Sequence, residues 1–144
     1  MELLISIFII LFLVGVISFL KPSKKMKVLS QVRMVAAKEG FKIGSSNQLR
    51  KKFKNWNPHV AIYQIKNLSE HKNLHYLKTE NNLELYSPIS IKYEKNFQII
   101  DKKISKLPSS ILEIIFYQSN IAIVWNEMLG IEELLKIKDA ITKI

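Results

Sequence analysis

Four short stretches hold the side chains whose types and spacing could do chemistry. Glu70, His71 and His75 in EHKNLH have the four-residue spacing that puts two imidazoles one turn apart on a helix, as in a metal pair. The surroundings deny that geometry. Asparagines and strand-forming residues flank the stretch, and on a strand the two rings would lie on one face about 13 Å apart with no third or fourth ligand. IGSSNQLRKK, residues 43–52, offers one glycine, two serines and three cations that could cradle a phosphate. A Walker-type loop needs G-x4-G-K-[ST], so a capped turn in a basic connection is the simpler reading.

Glu127 follows Trp125 and Asn126, and a carboxylate beside an indole can acquire a raised pKa suited to acid catalysis. It has no second carboxylate or histidine next to it, and Trp125 reads more simply as the core or rim of a sheet. Ser109 and Ser110 follow Pro108 as a turn, with no histidine placed to activate either hydroxyl. There are no cysteines, which removes disulfides, thiolate metal sites and cysteine nucleophiles together. No residue is therefore assigned a catalytic, metal-binding or cofactor-binding role, and no cofactor is expected.

The elements that would position any such group begin with Leu3 to Leu20, eighteen residues without a charge. As a helix this run reaches about 27 Å, close to the roughly 30 Å hydrocarbon thickness of a bilayer. Being apolar all round, it lacks the polar stripe of a core helix. No basic residue precedes it, and it exits through Phe19-Leu20-Lys21-Pro22 instead of a small-x-small cleavage site, so it reads as a retained anchor. Lys21, Lys24, Lys25, Lys27 and Arg33 follow within fifteen residues. By the positive-inside rule this predicts a single-pass membrane protein, N-terminus out, with its domain in the cytoplasm.

Charge divides the chain at Lys54. Residues 21–54 hold eleven basic residues against Glu39 alone, a net +10, whereas residues 55–144 hold eleven lysines against ten acids. Lys21, Lys24, Lys25, Lys27, Arg50, Lys51, Lys52 and Lys54 are the expected contacts to anionic lipid headgroups, each adding about 1 kcal/mol near the surface. Nucleic acid is the usual alternative for so basic a chain. Only Arg33 and Arg50 are arginines, and no helix-turn-helix, zinc-finger or RNP-like pattern occurs, which argues against it.

Beyond the anchor, Ser23 caps a helix running to a Gly40 stop, with Val28, Val32, Val35 and Ala36 on one face. FKIG reads as a short strand. HVAIYQIK, LHYLK, LELYSP and ISIKY follow as strands, and Phe97, Ile100, Ile104 and Leu107 line a helix ended by Pro108. SILEIIFYQ and IAIVWNE form a hairpin turning at Ser119-Asn120, and Ile131, Leu134, Leu135, Ile141 and Ile144 stripe a final helix. The expected organisation is an anchor over 1–20, a basic juxtamembrane helix and linker over 21–57, and a small α+β domain over 58–144. The expected fold has a mostly antiparallel sheet and about three helices.

Three features look similar to a group of small single-pass inner-membrane proteins of Gram-negative bacteria. They are the lysine-proline exit of the anchor, Arg33-x2-Ala36-Ala37-x2-Gly40, and Ile123-x-Trp125-x-Glu127-x2-Gly130 before the last helix. The resemblance spans nearly the whole chain; its motifs look structural and imply no activity.

Two function classes follow. The first is a non-catalytic interaction or accessory module held at the cytoplasmic leaflet, and the second is a membrane-associated enzyme with an atypical site. The lack of a paired carboxylate, histidine dyad, cysteine or phosphate loop favours the first. Both faces of the last hairpin are apolar, so Phe116, Tyr117 and Trp125 are the candidate surface for a protein partner, wherever the fold leaves them uncovered.

Overall fold

The computed structural model describes residues 1–144, and it begins with helix α1, Glu2–Leu20, none of whose residues is buried. This helix is long and apolar enough to cross a membrane. Its backbone leaves helical geometry at Lys21, and Ser23 then opens α2, Lys24–Lys38, by accepting from the Met26 amide. Two bonds close α2: the Gly40 amide donates to the Ala37 carbonyl and the Phe41 amide to the Ala36 carbonyl. That pairing requires a left-handed residue between them, and Gly40 has φ of +86°. Phe41 is turned into the core beside Ala36 as a result.

Six strands form one antiparallel sheet in the order β1-β2-β6-β5-β3-β4. They are β1 (Lys42–Gly44), β2 (Ala61–Lys66), β3 (Leu74–Thr79), β4 (Asn82–Ser87), β5 (Glu113–Phe116) and β6 (Asn120–Trp125). The short helix α3, Asn47–Arg50, follows β1, while α4, Phe97–Ile104, and α5, Ile131–Thr142, complete the helical layer. This is the expected α+β arrangement with four helices beyond α1.

Period-two alternation sorts the central strands into two cores. Ile114, Phe116, Ile121, Ile123 and Trp125 face the helices, joining Val32 and Ala36 of α2, Ile104 of α4, and Leu134, Ile137 and Ile141 of α5. Ile115, Ala122 and Val124 face the other way and pack with Phe53 and Ile62, flanked by Leu49, Trp56, Val60, Leu112 and Tyr117. The chain from α3 to β2 thus forms a thin second cover. Val32, Ala36, Phe41 and Phe53 are all buried, so the boundary expected at residue 57 falls inside one packed unit.

Several sequence expectations need correction. ISIKY is a 3-10 helix, Ile89–Tyr93, because Pro88 has no amide to continue an edge strand and its carbonyl instead accepts from Ile91. The last hairpin turns at Gln118-Ser119, one residue early, since the Tyr117 amide already pairs with the Asn120 carbonyl. In α5, Ile137 points inward and Leu135 outward, following the 3.6-residue spacing of 134, 137 and 141.

Phe116 and Trp125 are 0% exposed and Tyr117 is half-buried, so these three do not make an open docking face. The helices take one side of the hairpin and residues 49–60 take the other. Replacing Ile123 with lysine should therefore unfold the domain, read as loss of cooperative thermal unfolding of the full chain in neutral detergent.

The core phenols add a pH dependence. Tyr76 is fully buried and its hydroxyl has no hydrogen-bond partner; burial pushes its pKa up to about 12, with Asp101 adding to the rise. The folded state thus holds this proton where the unfolded chain, with a pKa near 10, releases it. The contribution is complete below pH about 10 and is lost as pH rises towards 12. A Tyr76→Phe variant should show a shallower fall in melting temperature across that interval.

Candidate functional site

Two carboxylates are buried, and each is tied by hydrogen bonds to segments distant in sequence. Glu127 sits in a 3-10 turn, Glu127–Leu129, after β6. Its Oε1 accepts from Arg33 Nε at 2.8 Å and from the Tyr63 hydroxyl at 2.7 Å, and its Oε2 accepts from an Arg33 terminal nitrogen at 2.9 Å. The two sequence motifs that carry Arg33 and Glu127 therefore meet in space, locking α2 onto the sheet. Burial, followed by the bond to Glu127, raises the Tyr63 pKa, while the same carboxylate raises that of Arg33. The phenol stays a donor to a carboxylate already held by a guanidinium fork.

Glu113 opens β5 and is 0% exposed. On the same face as Ile115, it accepts from the Lys54 amide at 2.9 Å, the Asn55 amide at 2.7 Å and lies 2.5 Å from His75 Nε2. Asn55 adds a side-chain bond to the Leu112 carbonyl at 2.8 Å. These contacts pin residues 53–55 across the sheet. Sequence reasoning passed over Glu113, although one signal was present: a single acid inside an otherwise apolar strand must find partners where it is buried.

The histidine pair is separated by the fold. His75 lies on β3 against Glu113 and edge-on to Tyr86, whereas His71 precedes the strand, packs edge-on against Phe116, and has its pKa lowered by burial and then by Lys103. Gly44 belongs to β1, Ser46 caps α3 through the Leu49 amide, and Ser110 donates to Glu133.

Of the cations singled out from sequence, Lys21, Lys24, Lys25, Lys27, Lys51, Lys52 and Lys54 are exposed. Lys52 lies over the Tyr117 ring. Arg50 is half-buried and its guanidinium sits 4.9 Å from the centroid of Trp56. A cavity of about 640 Å³ opens where β2 begins and β6 ends, between the first half of α2 and the β1–α3 segment. Lys25, Arg33, Arg50 and His59 line it with Glu127 as the only acid, alongside Leu29, Trp56, Val60 and Met128. The arrangement suits recognition of an anion beside an apolar surface.

Comparison with protein-family models, curated proteins and solved structures finds no match to this chain.

The two buried carboxylates should differ from surface acids in their effect on stability. Glu113→Ala leaves two amides and a histidine without an acceptor and should cost about 3 kcal/mol, whereas Glu84→Ala on the exposed edge should change stability by under about 0.5 kcal/mol. Denaturant unfolding of the two variants measures the difference.

Proposed function

We propose that this chain is a single-pass inner-membrane protein whose α1 anchors a non-catalytic interaction module at the cytoplasmic leaflet. The observation that carries this reading is the charge distribution: a net +10 over residues 21–54, directly after a helix of spanning length whose residues 3–20 carry no charge. Exposure of all nine lysines in this segment is in keeping with contact to anionic headgroups, each lysine adding about 1 kcal/mol near the surface. The involvement of Glu113 and Glu127 in structural hydrogen bonds favours a binding role over acid-base catalysis. The resemblance of the Arg33 and Glu127 motifs to Gram-negative inner-membrane proteins points the same way. The module is then available to a protein partner on surfaces other than the covered hairpin.

Reporter fusions after Ile144 test the orientation. A reporter that matures only outside the cytoplasm should stay silent and a cytoplasmic one should give signal; the reverse pattern contradicts the proposal. Vesicle association tests the leaflet contact: replacing Lys24, Lys25, Lys27, Lys51, Lys52 and Lys54 with glutamine should weaken binding to anionic vesicles, as should added salt.

A further inference from the structure

Arg50 is a half-buried cation that the fold leaves without an anion. None of the chain's ion pairs includes it, and its Nε is shielded from solvent without a hydrogen-bond partner. Trp56 holds the guanidinium in place by its ring face. The only acid in the same cavity is no substitute, because both oxygens of Glu127 are already engaged by Arg33, one of them also by Tyr63. A half-buried guanidinium in this state is poorly solvated and unpaired, so an anion entering the cavity gains charge-assisted hydrogen bonds.

We propose that this cavity binds the phosphodiester headgroup of an anionic phospholipid, with Arg50 as the principal phosphate contact and Lys25 and Arg33 as flanking cations. The planar fork of arginine matches phosphate geometry. The volume of about 640 Å³ lies within the range of small-molecule sites. Leu29, Val60 and Met128 supply an apolar wall for the glycerol and the first methylenes of a lipid, which a free phosphate would not use. Position selects the source. Lys25 is five residues beyond Leu20, so even a fully extended chain puts it within about 18 Å of the end of α1.

The lipid source rests on the leaflet reading given above; the anion site at Arg50 does not. The two are separable, because Lys51 and Lys52 neighbour Arg50 in sequence and are exposed, yet do not line the cavity.

The test uses the full chain in neutral detergent micelles at physiological salt, titrated with dihexanoyl phosphatidylglycerol, dihexanoyl phosphatidylcholine or inorganic phosphate. Trp56 emission is the readout, since Trp125 is fully buried and does not line the cavity. The expected result is a saturable change with phosphatidylglycerol, a weaker one with phosphate and none with phosphatidylcholine. Arg50→Gln should weaken the phosphatidylglycerol response at least about tenfold, whereas a Lys51→Gln/Lys52→Gln double variant should change it less than about threefold. Ser45→Glu, which adds a carboxylate at an exposed position of the cavity lining, should also weaken it and covers the case in which Arg50→Gln fails to fold. Equal losses in the Arg50 variant and the lysine double variant would mean diffuse attraction only and overturn the site while leaving the leaflet reading intact. A phosphate response as strong as that of phosphatidylglycerol would overturn the lipid assignment.

Discussion

A hairpin that is apolar on both faces cannot stand at a protein surface, and the domain is arranged around covering it. Ile121, Ile123 and Trp125 alternate with Ala122 and Val124 along β6, and all five are buried. Strands of this type need a layer on each side. Three helices supply the first layer through Val32, Ala36, Ile104, Leu134, Ile137 and Ile141. The second comes from a few side chains of residues 49–60, with Phe53 its most buried member.

So thin a layer has little apolar area of its own, and polar bonds supplement it. Glu113 reaches from β5 to the Lys54 and Asn55 amides, turning one buried charge into the fastening for the basic segment. On the helical side Glu127 plays the equivalent part through Arg33 and Tyr63. Removing either carboxylate leaves buried donors unpaired, which costs more than the bonds contribute when made. The rims of both layers meet at the cavity. Arg33 comes from the helical layer, and Arg50 and Trp56 from the thin one, so its shape depends on both fastenings.

The sequence was most legible where a period was strong. The uncharged run of α1, the α2 stripe, the four strands β2 to β4 and β6, and the two-sided hairpin pattern were all readable, because burial imposes regular spacing. It was least legible where one long-range contact decided the outcome. Nothing near Phe53 announces that a lysine-rich connection packs on a sheet, since the residue that fastens it lies 58 and 59 positions away. The same holds for Arg33 and Glu127, separated by 94 residues. Ile137 fits the spacing of the α5 stripe, and ISIKY has strand-forming residues whose pairing Pro88 forestalls.

Residues 51–57 form a fastened layer of the fold and are not a free linker. Amide hydrogen exchange of the full chain in neutral detergent tests this directly, because the Lys54 and Asn55 amides donate to a carboxylate that is 0% exposed. These two amides should exchange nearly as slowly as those of β6. Rapid exchange at Lys54 and Asn55, with β6 still protected, would contradict it.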